Sequence, residues 1–197
     1  DMDAAAVKVT DSVDKAKVDT LLADTTGTVT IAILAEGRTN IELIGTNTHD
    51  GAGVNAKYHK ASLAGATINV SDTTTKTQAY TIEGFLGGSG TVNLSDFSGT
   101  STDFETVAGS SGKNARISAS TATATITDAV SFTKAGQLNL LTNKKVTLQS
   151  VEDEYLNLRK IKDNILTAEV DMDAAAVKVT DSVDKAKVDE LLADTTG

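Results

Sequence analysis

The two ends of the chain carry the same sequence. Residues 1–27 read DMDAAAVKVTDSVDKAKVDTLLADTTG and residues 171–197 read DMDAAAVKVTDSVDKAKVDELLADTTG, so 26 of 27 positions agree and only Thr20 and Glu190 differ. Near-identity at a fixed offset of 170 residues is the mark of a repeat architecture. Two origins fit: a window of one period plus an overlap cut from a long tandem array, or a copy appended to finish the fold. The array is the reading preferred here, since repeat units borrow their caps from their neighbours. A start at Asp1, without an initiator Met or signal peptide, fits an excised piece of such an array.

A weaker repeat lies inside the period. Val7-Lys8-Val9-Thr10-Asp11 recurs as Ile68-Asn69-Val70-Ser71-Asp72, Ala124-Thr125-Ile126-Thr127-Asp128 and Val177-Lys178-Val179-Thr180-Asp181, with Asp-to-Asp spacings of 61, 56 and 53. A second signature follows the first three Asp residues: Gly27-Thr28-Val29-Thr30-Ile31, Gly90-Thr91-Val92-Asn93-Leu94 and Lys144-Lys145-Val146-Thr147-Leu148. Both signatures alternate apolar and polar residues and are rich in β-branched side chains, as half-buried strands are. Between them Val18, Leu21 and Leu22 stand at helical spacing, and Gly27 supplies a stop. The unit reads strand, helix, strand, and a crossover helix makes the two strands parallel.

The expected fold is therefore a β-rich α/β right-handed solenoid of about three strand–helix–strand coils, 1–61, 62–118 and 119–170. Residues 171–197 would begin the next repeat and act as a cap. A doubly wound α/β domain and separate small β-rich domains are the alternatives. Coil three is expected to differ by a second helix, with Val151, Tyr155, Leu158, Ile161 and Ile165 as its apolar stripe. Residues 45–56 and 95–114 read as loops.

Composition restricts the chemistry. There is no Cys, no Pro and no Trp, only two His, and Thr and Ser together number 44 of 197 residues. Absence of Cys removes disulfides, thiolate catalysis and Cys-based zinc sites. A net charge of −9 argues against nucleic acid and anionic membrane surfaces as partners, and no apolar run is long enough to insert into a bilayer. Two candidate metal sites remain. One is the row Asp11, Asp72, Asp128 and Asp181, which could offer carboxylates to Ca²⁺; the simpler reading is that each Asp caps the helix following it. The other is His49, Asp50 and His59, which flank a glycine loop without recognisable ligand spacing and need no role as surface residues. Gly87–Leu94 has the glycines of the calcium β-roll nonapeptide, but Val92 replaces its ligand Asp. Glu152, Asp153 and Glu154 read as the acidic first turn of a helix. Asn69 and Asn93 match glycosylation sequons but fall in strands.

The V-x-V-[ST]-D copies ending at Asp11, Asp72, Asp128 and Asp181, the Val18/Leu21/Leu22 helix and G-T-V-x-[IL] at Gly27 and Gly90 resemble the repeats of giant bacterial surface proteins and adhesins of marine bacterial and cyanobacterial type. The resemblance implies an extracellular, cell-surface, non-catalytic spacer or display module whose partners are neighbouring repeats of its own chain. No resident cofactor is expected, with Ca²⁺ bridging of surface carboxylates as an addition. One alternative is a module that binds a cell-surface glycan or protein through segments 39–60 and 95–116. The other is a β-helical polysaccharide-degrading enzyme, for which three Tyr, four Phe and no Trp are a thin sugar-stacking set.

Overall fold

A computed structural model of the chain describes residues 4–49, 56–109, 115–162 and 170–193. Strand–helix pairs follow one another along it. The first are β1 (Val7–Val13) with α1 (Lys15–Asp24), and β2 (Val29–Glu36) with α2 (Arg38–His49). After a 3₁₀ turn (Ala56–Lys60) and the short strand β3 (Ala61–Ser62) come β4 (Thr67–Thr74) with α3 (Lys76–Gly84), and β5 (Thr91–Gly99) with α4 (Ser101–Ala108). Then follow β6 (Ile117–Ser118), β7 (Thr123–Val130) with α5 (Phe132–Asn139), and β8 (Val146–Asp153) with α6 (Tyr155–Lys162). The last are β9 (Val170–Asp171) and β10 (Ala176–Val179) with α7 (Lys185–Leu192).

The chain divides into two compact units, Asp1–Ser95 with Ser110–Ser118, and Asp96–Gly109 with Ala119–Gly197. In the first unit the strands run in the order β1-β2-β4-β5, and in the second β5-β7-β8-β10. Strand β5 gives its first half to one unit and its second half to the other. The three two-residue strands flank this path, β3 on β2, β6 on β5 and β9 on β8. The pairs β1·β2, β2·β4, β5·β7, β7·β8 and β8·β10 are parallel.

The expected three-coil solenoid is not the fold. Stacked coils would set Val9 and Val70, or Ile126 and Val179, in neighbouring strands. Instead Val9 pairs with Ile31, Val70 with Glu36, Ile126 with Leu148 and Val179 with Asp153. Strands of the second signature lie between those of the first, giving an α/β fold with sequentially ordered parallel strands. The reason is that both signatures are followed by a helix. Each helix returns the chain to the start of a parallel strand, so each signature lays its strand beside the previous one. The second helix expected only in the third segment is present in all three, as α2, α4 and α6.

Local chemistry explains the regularity. Asp14, Thr75, Thr100, Ser131 and Asp184 each end a strand-side segment in extended geometry, and their side chains accept from the backbone N–H three residues on. Val29 and Ile31 of β2, and Ile126 and Leu148 farther on, are buried, as the alternation requires. Before the strands of the first signature comes a repeated tight turn. Ala66 N–H donates to Leu63 O at 3.0 Å, Ala122 to Ala119 at 3.0 Å and Ala175 to Met172 at 2.9 Å. A Cβ on Gly27 would sit 2.1 Å from Ala5 O, and one on Gly90, where φ is 97°, 2.3 Å from Ala66 O. The glycine of the G-T-V signature is therefore needed for close passage beside that turn.

Candidate functional site

Three members of the Asp row, Asp72, Asp128 and Asp181, are caps, but not for the helices expected. Asp72 Oδ1 accepts from the first helical N–H of α2, at Arg38 (2.8 Å). Asp128 accepts from Ser101 N (2.6 Å) and Ser101 Oγ (2.7 Å) at the start of α4, and Asp181 from Tyr155 N (2.8 Å) at the start of α6. Glu36 and Asp153 do the same for Lys15 of α1 (3.0 Å) and Phe132 of α5 (2.8 Å). In each case a carboxylate on one strand, or for Asp181 just past its end, caps the helix that follows the neighbouring strand. These acids satisfy orphan amides and meet the positive end of the helix dipole. Glu36 is accordingly held below the usual carboxylate range by the Gly37 and Lys15 amides. For Asp153, burial pushes the other way and is outweighed by hydrogen bonds from Asn157, Phe132 and Glu154.

Strand β2 separates Asp11 from Asp72, and β8 separates Asp128 from Asp181. Among the described residues no three His, Cys, Asp or Glu side chains cluster suitably for a metal. His49 closes α2, His59 lies exposed in the 3₁₀ turn, and Asp50 lies outside the described residues. Glu152 and Asp153 end β8 rather than opening a helix. Of the expected stripe, Tyr155, Leu158 and Ile161 are buried in α6, Val151 is buried in β8, and Ile165 lies outside the described residues. Asn69 and Asn93 join across β4 and β5, Asn93 Nδ2 donating to Asn69 Oδ1 at 2.7 Å.

The described residues of the segments read as loops include most of α2, the 3₁₀ turn and α4. Buried Tyr58 donates from its hydroxyl to Asp19 Oδ1 at 2.8 Å, while Lys15 and Lys57 pair with the same carboxylate at 2.7 and 3.0 Å. Burial raises the Asp19 pKa, but the hydrogen bonds from Lys15, Lys57 and Tyr58 together prevail and bring it down to about 2. The bond to Asp19 in turn raises Lys15 well above its ordinary value. Lys60 reaches back to Leu22 O (3.2 Å) and Thr25 O (2.6 Å), the C-terminal carbonyls of α1. Arg116 holds the corresponding place after α3, donating to Gly88 O at 3.4 Å and to the buried Glu83 carboxylate at 2.6 Å. Neither Lys60 nor Arg116 was picked out by sequence reasoning; their shared place just before β3 and β6 was the available signal.

The most developed recognition surface is the seam that seats the repeated segment. Strand β10 pairs with β8 from Ala176↔Ser150 to Val179↔Asp153, and Thr180 N–H donates to Asp153 O at 3.0 Å. Lys178 pairs with Glu152 at 2.6 Å, and Lys187 Nζ lies 5.3 Å from the centre of the Tyr155 ring. Glu190 accepts from both Tyr155 Oη and Arg159. Met172, Ala175 and Leu191 are buried beneath these contacts. Glu190 is the one position where the two copies differ. In the first copy, Asp11, Lys17 and Thr20 instead line an open concavity of about 580 Å³ on the outer side of β1 and α1.

No family model, curated protein or solved structure matches the chain. Among the described residues no helix is long and apolar enough to cross a membrane.

Proposed function

We propose that the chain is a non-catalytic structural repeat, a spacer or display module of a long extracellular bacterial surface protein. The observation that carries this reading is the seating of 171–193. A second copy of the first strand–helix pair continues the parallel strand order on β8, with its own cap, ion pairs and buried side chains. That is how the joint between one repeat and the next would be built. Residues 1–170 hold 15 basic and 20 acidic residues, so every added repeat brings net −5. A long array would stay soluble and repel itself, which favours extension. The surface location rests on the likeness of the repeats to those of giant bacterial surface proteins.

The test is small-angle scattering from a chain of three tandem repeats, beside a polysaccharide-cleavage screen with and without Ca²⁺. Maximum dimension growing in proportion to repeat number, without turnover, is expected. A size that stops growing with added repeats would overturn the spacer role. So would turnover abolished by His49→Ala or Asp50→Ala.

A further inference from the structure

The two copies of the first strand–helix pair differ at one position, and that position addresses one neighbour only. Asp19 and Thr20 are adjacent on α1, as their counterparts Asp189 and Glu190 are on α7. Asp19 is held by residues that follow it in the chain, the Tyr58 hydroxyl at 2.8 Å and Lys57 at 3.0 Å. Glu190 is held by residues that precede it, Tyr155 Oη and Arg159 of α6. The acid that reaches forward is common to both copies, whereas the residue that reaches back is Thr in one and Glu in the other. We propose that Tyr155 and Arg159 form a reading site for this position on a neighbouring repeat. A repeat whose first pair carries Glu joins the preceding repeat tightly. One that carries Thr joins it loosely, and its joint is the first to open.

The chemistry of the two side chains carries the grading. Tyr155 is only 8% exposed, and Arg159 Nη1 donates to its hydroxyl at 3.4 Å. Glu190 gives this pair one charged acceptor that serves both, and charge-assisted bonds are roughly twice as strong as neutral ones. Thr20 asks nothing of a neighbour, because its Oγ1 donates to Ala16 O one helical turn back at 3.1 Å. Threonine also lacks the charge and the length to bridge a phenol and a guanidinium. Lys178, Asp181, Lys187 and Leu191 make other contacts of the seam, and each has an identical counterpart in the first copy. A Thr copy therefore still docks, and only the strength of the joint changes. The inference rests on the spacer reading for its partner, the neighbouring repeat, but the grading is measurable inside this chain. Scattering that refutes an extended array would leave the grading standing, and joints of equal strength would leave the spacer role standing.

Amide hydrogen exchange on the full chain and on Glu190→Thr, which writes the first copy's sequence into the last, tests the proposal. The Thr180 amide donates to Asp153 O across the seam. It should exchange about tenfold faster in Glu190→Thr, the worth of one hydrogen bond to a charged group. Val7, which donates to Thr28 O in the other unit, should keep its rate. Glu190→Gln retains an acceptor for Tyr155 but loses the ion pair, and should fall between the parent and Glu190→Thr. Tyr155→Phe should speed Thr180 exchange in the parent and add less than about twofold in Glu190→Thr, since the two side chains act through one bond. Unchanged Thr180 exchange in Glu190→Thr would overturn the proposal. So would a Tyr155→Phe effect of equal size in the parent and in Glu190→Thr. Equal acceleration of Thr180 and Val7 would also overturn it, by making Glu190 a residue of general stability and not of the joint.

Discussion

The first and last strand–helix pairs share their sequence at all but one position and bury opposite faces. Val18 is fully buried and Leu22 is 4% exposed, whereas Val188 is 37% and Leu192 61% exposed. The order reverses on the other side: Ala175 and Leu191 are buried, while Ala5 is exposed and Leu21 half-buried. Side-chain burial here is thus set by which neighbour is present, β2 and α2 for the first copy, β8 and α6 for the last. A strand–helix pair of this kind has two apolar faces and needs a neighbour on each. Stability then accrues largely at the joints between pairs.

Removing one copy gives the largest effect. Truncation at Val170 strips β8 and α6 of their cover and takes away Met172, Ala175 and Leu191. This should cost about 4 kcal/mol, a drop in melting temperature of roughly 10 °C, or cause association through the bared strand edge. A truncated chain that stays monomeric and melts with the parent would break the comparison.

Mirror-image substitutions sharpen it. Leu22→Ala should cost about 3 kcal/mol in denaturant unfolding, and its counterpart Leu192→Ala less than about 0.5. On the opposite face, Leu191→Ala should cost more than Leu21→Ala. Equal costs within either pair would mean that the two copies do not differ in seating.

The caps follow with a smaller effect. Asp181→Ala removes the acceptor for the Tyr155 amide and should cost about 1 kcal/mol, whereas Asp11→Ala should cost close to nothing. Matching melting curves for the two variants would contradict the cross-helix cap.

Acid titration probes a contact that the first copy alone makes. Tyr58 and Lys57 belong to the first copy's surroundings alone, and with Lys15 they hold Asp19 at about 2 against an ordinary 3.8. A depressed carboxylate contributes stability that is complete above its unfolded pKa and lost as pH falls through the folded one. Stability should therefore fall between about pH 4 and pH 2. Asp19→Asn should flatten that part of the profile; an unchanged acid slope would remove Asp19 from the account of acid unfolding.

Much of this was legible in the chain itself. The alternation in Val7–Val9, Val29–Ile31 and Val146–Leu148 marks strands that are present, and Val18, Leu21 and Leu22 mark a helix that is present. Helices α2 and α4 were not legible, because Gly45, Asn47 and a Ser/Thr-rich 95–102 argue against helix by intrinsic preference. Burial of Ile41 and Ile44, and of Phe104 and Val107, overrides it. Missing those helices is what made three coils seem natural, since a strand without a return helix has no reason to be followed by a parallel neighbour. The acids of the candidate site were visible, but their partners were not. Asp72 caps a helix 34 residues upstream, a distance at which local pattern carries no information.

The central claim is that 171–193 is seated on β8 and α6 as a full strand–helix pair. Residue-resolved amide hydrogen exchange on the intact chain tests it most directly, because the two copies have nearly the same intrinsic rates. Beside the β8–β10 ladder, Thr180 donates across the seam to Asp153 O and Tyr155 to the Asp181 carboxylate. Both should exchange well below their intrinsic rates, as should Val7, which donates to Thr28 O on the β2 side of the first copy. Thr180 and Tyr155 exchanging at unprotected rates while Val7 stays protected would show the last copy to be an unseated tail and would contradict the claim.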